Sequence, residues 1–345
     1  MKKSICGLIS VSVLLILYLT LLPSVFGFES IVIQRNGEIE GTDLIVRSGD
    51  VYTFSENVSG TILILRDNLV LDGAGYALSG YGVLSYHGID VTDQVNITVK
   101  NVIIEHFQYG LWLKNSSENT ILDCTVTNNR EWGLRLYNTS NSNNIVSNNF
   151  INNHFGGVQV FNESNNNLFS NNEFNMNAKG LEIATSQDNT IANNYIHGND
   201  DGVVISDRRN IITENVITEN FDRGIFLSGS KEGVVTSNTI ESNGIGLIST
   251  SGSNNTINYN NFVKNYLQAK CIASNNTWIN NFWSNYNGTG SEPYVIDVSN
   301  QDEFPLLEAI SIPEFSLLGL LGLLALLTIL LSILKKIGKF GNLNI

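Results

Sequence analysis

The chain has 345 residues, of which 15% are charged, and its formal net charge is −13. A chain of this length can bury the core of one elongated domain. Its basic residues form no stripe that could follow a phosphate backbone, so nucleic-acid binding is excluded as the main function.

The N-terminus has the layout of a secretory signal peptide over residues 1–27. Lys2 and Lys3 precede an apolar run over residues 8–22, and small residues follow up to Gly27. We expect cleavage near Gly27, although an uncleaved anchor has the same pattern. Residues 28–95 contain apolar runs without a clear repeat, which predicts an N-terminal cap and the first coils.

Residues 96–283 carry an internal repeat. Each repeat contains a glycine that opens a short apolar stretch, and successive glycines are 22 to 24 residues apart. A fixed period of this length predicts a solenoid. The glycines are Gly110, Gly133, Gly157, Gly180, Gly202, Gly224 and Gly246, and Ala269 is expected to occupy the same position in the next repeat.

Within a repeat, apolar residues alternate as they do in β-strands. The glycine is followed in most repeats by an apolar–x–apolar triplet, such as Leu134–Arg135–Leu136, whose apolar pair should face the core. Leucine-rich repeats share the period, but they need a helical segment that is missing here. The predicted fold is therefore all-β, a parallel β-helix of ~22–24-residue coils.

Asparagine recurs nine residues before the glycines. Stacked coils would place these side chains in an inward ladder that binds turn backbone, so we interpret the column as structural. The column comprises Asn148, Asn171, Asn193, Asn215 and Asn260, with Cys124 and Ser237 as exceptions.

The C-terminal part predicts a closing cap and a membrane anchor. Residues 284–312 contain glycine and proline and are expected to form the cap and a stalk. Residues 316–334 carry no charge, and as a helix they would span ~28 Å, close to a bilayer core of about 30 Å. Lysines follow, so a C-terminal transmembrane helix within residues 313–340 would leave the solenoid outside the cytoplasm.

Two cysteines, Cys124 and Cys271, lie in the predicted ectodomain, 147 residues apart. At ~4.8 Å per coil they would be about 30 Å apart, too far for a disulfide, so both are predicted to be buried apolar-type residues. N-x-S/T sequences are frequent, and three fall five residues after successive glycines. These three, Asn115, Asn138 and Asn162, are predicted glycosylation sites on one exposed turn.

One outer sheet face offers a candidate sugar-binding groove. The position two after each glycine points outward, and the residues before the glycines flank it. The early coils combine aromatic rings with planar polar groups here, which suits the apolar faces and hydroxyls of sugars. The predicted substrate-binding residues are Tyr109, Trp112, Trp132, Arg135, Gln159, Lys179 and Glu182. The alternative is a solvated sheet face with scattered aromatic residues.

A charged cluster in two later coils could support catalysis. Asp200 and Asp222 share a position in adjacent coils and would lie about 4.8 Å apart, near the separation of glycosidase carboxyl pairs. Asp201 adjoins Arg223. These residues could form an acid/base site of a polysaccharide hydrolase or lyase, or a turn cluster that Arg223 neutralises.

The repeat consensus N-x-I-x-x-N-x-I-x-x-N-x-x-G-I-x-L resembles that of the NosD-like periplasmic copper-binding family, shared with carbohydrate-binding and sugar-hydrolase modules. The resemblance covers about residues 60–305, with LDGAGYALSG (71–80), NNFWSNYNGTGSEPYVID (280–297) and DEFPL (302–306) as its sharpest segments. It implies a right-handed coil and is specific for fold rather than for function.

The sequence IPEF (312–315), with the apolar run and the lysines behind it, is similar to an archaeal PEF-type sorting signal. That resemblance implies an archaeal cell-surface protein whose tail is replaced by a lipid anchor. An intact transmembrane anchor is the alternative.

The family resemblance also implies that copper binding should be considered. Copper prefers His, Met or Cys ligands. His106, His154 and His197 occupy different positions relative to the glycines and would not meet. We therefore predict no metal site and no cofactor, since neither copper nor calcium is supported by a ligand pattern.

These observations predict a monomeric protein, held at the cell surface by its C-terminus in the cytoplasmic membrane, that binds polysaccharide or surface-layer glycans without catalysis. The alternatives are a polysaccharide-cleaving enzyme, a NosD-like accessory factor for the maturation of extracytoplasmic copper proteins, and a structural spacer.

Overall fold

The computed structural model describes residues 30–81 and 86–311. The predicted signal peptide (1–27), the IPEF sequence and the predicted anchor (313–340) lie outside the described residues. Within the described ranges, no helix is long and apolar enough to cross a membrane.

The described chain consists of short strands joined by turns. The strands before and at the start of the regular repeat are β1 (Ser30–Ile33), β2 (Ile39–Glu40), β3 (Ile45–Ser48), β4 (Val51–Phe54), β5 (Val58–Ser59), β6 (Thr61–Ile64), β7 (Leu69–Asp72), β8 (Ala77–Ser79), β9 (His87–Asp90), β10 (Ile97–Lys100) and β11 (Ile103–Glu105). The strands of the regular coils are β12 (Tyr109–Lys114), β13 (Thr120–Leu122), β14 (Thr125–Thr127), β15 (Trp132–Tyr137), β16 (Asn144–Val146), β17 (Asn149–Ile151), β18 (Gly156–Phe161), β19 (Leu168–Ser170), β20 (Glu173–Asn175), β21 (Lys179–Ala184), β22 (Thr190–Ala192), β23 (Tyr195–His197), β24 (Asp201–Ser206), β25 (Ile211–Thr213), β26 (Val216–Thr218), β27 (Arg223–Ser228), β28 (Val234–Thr236), β29 (Thr239–Glu241), β30 (Ile245–Thr250), β31 (Ser253–Asn258), β32 (Asn261–Val263), β33 (Leu267–Ile272) and β34 (Asn275–Ile279). The closing strands are β35 (Phe282–Trp283), β36 (Tyr294–Asp297) and β37 (Asn300–Asp302).

Three sheets, which we call A, B and C, run along the solenoid, and each regular coil gives one strand to each. Sheet A has the order β2-β1-β6-β9-β12-β15-β18-β21-β24-β27-β30-β33, and sheet B has the order β3-β4-β7-β10-β13-β16-β19-β22-β25-β28-β31-β34-β37-β36. Sheet C has the order β35-β32-β29-β26-β23-β20-β17-β14-β11-β8-β5. Pairing between coils is parallel, and antiparallel pairs close the ends at β1–β2, β3–β4 and β36–β37. The predicted all-β parallel solenoid is confirmed.

The core is a stack of identical positions from successive coils. In sheet A, Leu111 pairs with Leu134 and Leu134 with Val158, and all three side chains are fully buried. Each such side chain contributes about 1.5–3 kcal/mol through burial. The predicted inward apolar pair is therefore confirmed, and it sets the register of every following coil.

Close approach between coils explains the glycine column. A Cβ atom on Gly157 would lie 2.6 Å from the carbonyl oxygen of Gly180 in the next coil, so no side chain fits. Gly88 has the same environment against Gly110, which extends the column one coil towards the N-terminus.

The last coil departs from the predicted column. Ala269 pairs with Leu247, an inward core position, and Gln268 takes the place that follows Gly246. The expectation for Ala269 was therefore wrong by one residue. A side chain is accommodated at Gln268 because sheet A ends at β33 within the described residues, so no further strand crowds it.

Inward asparagines form three ladders along the turns, one beside each sheet junction. In the B–C and C–A ladders the Nδ2 of one asparagine donates to the Oδ1 of the next, and that Oδ1 also accepts a backbone N–H. From Asn148 to Asn172 these distances are 3.0 and 2.9 Å. The A–B ladder has the same pattern but is interrupted at Gly233 and at Asn276, whose Nδ2 donates to Ser249 Oγ at 3.0 Å. The A–B ladder contains Asn119, Asn143, Asn167, Asn189, Asn210, Asn255, Asn276 and Asn300, the B–C ladder Asn148, Asn172, Asn194, Asn215, Asn238, Asn260 and Asn281, and the C–A ladder Asn129, Asn153, Asn177, Asn199, Asn220, Asn243 and Asn265.

The predicted ladder was partly misplaced. Asn171, Asn193 and Ser237 have φ angles of 56°, 55° and 55°, and each is the left-handed turn residue before the true ladder member. The ladder members are Asn172, Asn194 and Asn238. The turn from sheet C to sheet A varies by one residue between coils, so a fixed distance from the glycine cannot find them all.

The bonds between ladder asparagines all run from Nδ2 in one coil to Oδ1 in the next coil towards the C-terminus, so each ladder must finish on an acceptor. The buried carboxylate of Asp302 closes the B–C ladder and accepts from Asn281 Nδ2 at 3.0 Å and from Trp283 Nε1 at 3.1 Å. Asn300 donates to the Asp297 carboxylate at 3.0 Å. The C–A ladder ends where Asn265 donates to Gln268 Oε1 at 2.8 Å. Carboxylates suit this position because they only accept hydrogen bonds.

Candidate functional site

The outer face of sheet A gathers the predicted substrate-binding residues. Trp112, Arg135, Gln159 and Glu182 are direct neighbours in register on four adjacent strands. Residues in the position before the glycines, among them Tyr109, Trp132 and Lys179, flank this row on the same strands.

Aromatic rings form a continuous strip across the first coils of this face. We define the aromatic strip as Tyr86, His87, Tyr109, Trp112, Tyr137 and Phe161. His87 stacks on Trp112 with centroids 4.4 Å apart and planes 11° apart, and Tyr109 meets Trp112 edge-on at 5.0 Å. The strip continues from Trp112 to Tyr137 at 5.9 Å and on to Phe161 at 6.1 Å.

Arg135 lies at the centre of the strip. Its guanidinium carbon is 5.1 Å from the ring centre of Tyr137, 5.2 Å from Trp112 and 5.6 Å from Tyr109, all within cation–π range. Nη1 donates to Tyr109 Oη at 3.3 Å. Nε is buried and has no hydrogen-bond partner among the described residues.

His87 is oriented by Asp90. Nδ1 lies 2.8 Å from Asp90 Oδ2, and because the carboxylate accepts, Nδ1 carries the proton. Burial acts to raise the pKa of Asp90, but the hydrogen bonds from His87 and Thr92 outweigh it and lower the pKa. Nε2 has no partner within residues 30–81 and 86–311, and it can accept a hydrogen bond in the form of the ring that is protonated on Nδ1 alone.

Beyond Arg135 the row becomes polar. Gln159 Nε2 donates to Glu182 Oε2 at 2.8 Å, and Lys179 forms an ion pair with the other oxygen of Glu182. The Oε1 atom of Gln159 is buried without a partner in the described chain. Three neighbouring side chains on this face, His87, Arg135 and Gln159, thus each keep an unused polar atom.

Two predicted substrate-binding residues are largely covered. Trp132 is 6% exposed, and its ring lies against Gly156, where a Cβ atom would overlap it. Tyr109 is 5% exposed, and burial together with the nearby Glu131 carboxylate raises its pKa. Both rings are therefore covered by neighbouring groups, whereas Trp112 is partly exposed.

The predicted catalytic residues lie further along the same face. Arg223 binds Asp201 through two hydrogen bonds of 2.6 Å, stacks on Phe226 at 4.2 Å, and lies 3.3 Å from Asp222. Asp201 is 6% exposed, and burial raises its pKa despite the opposing effect of Arg223. Asp200 is exposed. This geometry fits the alternative of a cluster neutralised by Arg223, and a catalytic role stays a prediction.

The predicted glycosylation sites form an outer ladder. Asn162 Nδ2 donates to Asn138 Oδ1 at 2.9 Å, and Asn138 Nδ2 donates to Asn115 Oδ1 at 2.5 Å. The serines two residues after Asn138 and Asn162, Ser140 and Ser164, are buried. The turn itself therefore accounts for the N-x-S spacing there, and glycosylation stays a prediction.

The described residues were also compared with the predictions for metal binding and for the two cysteines. No group of three or more His, Cys, Asp or Glu side chains within the described ranges is arranged to hold a metal ion. Both cysteines are free, as predicted: Cys124 is buried, and Cys271 is half-buried, more open than expected. Burial raises the pKa of Cys124 to about 12 and also raises that of Cys271.

Sequence reasoning missed His87, Asp90, Tyr137 and Phe161. The signal for the first two was Gly88, which lies 22 residues before Gly110 and opens the glycine column. Tyr137 and Phe161 lie four residues after their glycines, an outward position on the same strands.

Comparisons with known proteins agree with this architecture. Residues 155–291 match the family model described as periplasmic copper-binding protein (NosD), and residues 30–196 match the right handed beta helix region. No curated protein matches the chain. The matched family is described as periplasmic.

Solved structures similar to this chain include two epimerases and a bacteriophage tailspike protein. The periplasmic alginate epimerase AlgG has a TM-score of 0.50 at 13% identity, with 68% of this chain and 80% of the epimerase covered. The A-module of the mannuronan C-5 epimerase AlgE4 from Azotobacter vinelandii has a TM-score of 0.45 at 13% identity, with 72% and 86% covered. Tailspike protein 2 from Escherichia coli O157:H7 bacteriophage CAB120 has a TM-score of 0.45 at 11% identity, with 68% and 34% covered. At 13% identity, the likeness to the epimerase AlgG concerns the fold alone. The family models together with the coil geometry support a NosD-like right-handed parallel β-helix.

Proposed function

We propose that this protein binds polysaccharide or surface glycans through the aromatic strip of sheet A, without catalysis. The observation that carries the proposal is the grouping of rings around Arg135 on one open sheet face. Trp112 is the central anchor, because it contacts His87, Tyr109 and Tyr137. Rings held in this way offer apolar surface for the CH faces of sugars at little entropic cost.

Unused polar atoms beside the rings support the same function. His87 Nε2 and Gln159 Oε1 are acceptors that could take sugar hydroxyls after small side-chain rotations. A buried acceptor without a partner costs about 1–3 kcal/mol, so a ligand that satisfies it gains affinity. The fold shared with an alginate epimerase is compatible with this role, but the argument rests on these side chains.

The proposal also includes the cellular location of the protein and its attachment to the membrane. The signal-like residues 1–27 and the apolar segment within 313–340 favour a monomer held at an archaeal cell surface by its C-terminus. Surface-layer glycans or a neighbouring polysaccharide would then be the partner.

Glycan-array binding of the full-length protein in mild detergent tests the proposal. Trp112→Ala should weaken binding about tenfold or more, since a stacked aromatic contact and its buried area exceed the 1.4 kcal/mol that corresponds to a factor of ten. Tyr266→Ala is the matched control, because Tyr266 is 97% exposed in a distant turn. Absence of glycan binding by the wild type, or equal losses in the two variants, would refute the proposal.

The NosD match over residues 155–291 favours a second candidate, an accessory role in copper-protein maturation. Tight Cu(I) binding in competition with a chelator would support it. A polysaccharide-cleaving enzyme would instead release reducing ends or unsaturated sugars from a bound glycan, and Asp200→Asn with Asp222→Asn should then abolish the release.

A further inference from the structure

We infer that the aromatic strip selects acidic polysaccharides, and that the Arg135 guanidinium pairs with the carboxylate or sulfate of the bound sugar. This inference rests on the proposed function and adds the ligand class. It follows from the charge balance of the face and from the kinds of polar atom left unused there.

Arg135 carries a charge that no described residue neutralises. Its hydrogen bond goes to the neutral phenol of Tyr109, and it forms no ion pair with a described carboxylate. The nearby Glu131 carboxylate is engaged with Gln108 Nε2 at 2.6 Å. A partly desolvated cation without a counter-ion is unfavourable, so the site is electrostatically incomplete.

Two other cations of this face are neutralised within the protein: Lys179 pairs with Glu182, and Arg223 pairs with Asp201 at 2.6 Å. Lys114 and Lys270, also on strands of sheet A, form no ion pair with a described carboxylate. What distinguishes Arg135 from all of them is its environment of several rings, which attract a cation through their faces yet supply no anion. Aromatic contacts also hold the guanidinium plane in place, which favours bidentate binding of a planar carboxylate.

The flanking atoms fit the rest of such a sugar. His87 Nε2 lies on one side of Arg135 and Gln159 Oε1 on the other. Gln159 Oε1 accepts hydrogen bonds, and His87 Nε2 does so when only Nδ1 carries a proton. Acceptors suit hydroxyl groups and would repel a second anion. One donor group between two acceptors, beside the Trp112 ring, is thus complementary to a sugar with a single anionic group, neighbouring hydroxyls and an apolar face.

Binding of three polymers to the full-length protein in mild detergent tests the inference: polygalacturonate, dextran sulfate and neutral dextran. We expect an acidic polymer to bind and neutral dextran to bind at least about tenfold more weakly, as expected for loss of a charge-assisted contact. Arg135→Gln should weaken acidic binding by a similar factor, while Arg135→Lys keeps part of it. Arg208→Gln, which removes the same charge from an exposed turn, should have no effect.

The salt dependence of wild-type binding provides a readout that does not depend on any variant folding. Wild-type binding to the acidic polymer should weaken as salt is raised from 50 to 500 mM, since ions screen the pair, and binding that is insensitive to salt would contradict the inference. As a second comparison, Arg135→Gln should show a flatter response. The acidic polymer that shows the loss identifies the anion as carboxylate or sulfate.

The failures of the two proposals are distinguishable. Binding to neutral glycans that equals or exceeds binding to acidic ones, or Arg135→Gln behaving like Arg208→Gln, would overturn the acidic assignment and leave glycan binding intact. Absence of binding to every glycan on the array would overturn the proposed function itself.

Discussion

Removal of one ladder amide should destabilise the solenoid more than any change on the adjacent turn. Asn172 lies in the middle of the B–C ladder, and Asn172→Ala deletes four hydrogen bonds. Its Nδ2 donates to Ile145 O at 2.8 Å and to Asn194 Oδ1 at 3.0 Å. Its Oδ1 accepts the backbone N–H and the Nδ2 of Asn148 at 2.9 and 3.0 Å.

The size of the expected stability loss depends on which buried groups lose a hydrogen-bond partner. Asn148 Nδ2 still donates to Ile121 O, and Asn194 Oδ1 still accepts the Asn172 N–H. The backbone N–H of Asn148 is left without a partner, whereas the carbonyl of Ile145 loses one contact but lies in the sheet ladder between β16 and β19. At about 1–3 kcal/mol for a buried group left unpaired and about 0.5–1.5 kcal/mol for an ordinary hydrogen bond, we expect a loss of about 2–5 kcal/mol.

The assay compares Asn172→Ala with Asn171→Gly. Asn171 is exposed with φ 56°, a conformation that glycine adopts without cost, so this control should change stability by less than about 1 kcal/mol. Denaturant midpoints report the global effect, and hydrogen exchange at the Asn148 amide reports the local one, because coils contact only their neighbours. Equal stabilities together with unchanged protection at Asn148 would refute the reasoning.

Two further changes test the packing and the electrostatics of sheet A. Gly157→Ala should lower stability by about 1–3 kcal/mol, since the new Cβ would lie 2.6 Å from the Gly180 carbonyl; an unchanged thermal midpoint would contradict the close approach. The pKa of Asp90 lies below its usual value near 3.9, so its stabilisation is complete above that pH and is lost as pH falls through the lower folded-state pKa. The thermal midpoint of the wild type should therefore fall more steeply below pH ~4 than that of Asp90→Asn, and parallel curves from pH 2 to 7 would be inconsistent with this.

The architecture could be predicted because one coil determines the next. Glycine spacing and strand alternation reflect contacts between equivalent positions of adjacent coils, such as Leu134 with Val158. Two predictions were wrong because they placed residues at a fixed number of positions from the glycines. Turn length changes by one residue between coils, which moved Asn171 out of the ladder and Ala269 out of the glycine position.

The candidate site could be predicted only in outline. Alternation placed Trp112 and Arg135 on one outer face, and the register confirms that placement. The partners of each side chain were not predictable, because the stacking of His87 on Trp112 and the lack of an ion pair at Arg135 depend on rotamers and on residues far apart in sequence. The burial of Trp132 against Gly156 could not be predicted for the same reason.

The common direction of the ladder amides has a consequence for how such a protein can evolve. A duplicated or deleted coil in the middle would leave every donor facing an acceptor, whereas a coil added beyond Asp302 would face a carboxylate that cannot donate. Length can thus change in whole increments of about 22 residues while the closing segment is inherited intact. Related chains should therefore differ in coil number and share an acidic residue at the end, which makes the length of the solenoid an adjustable property.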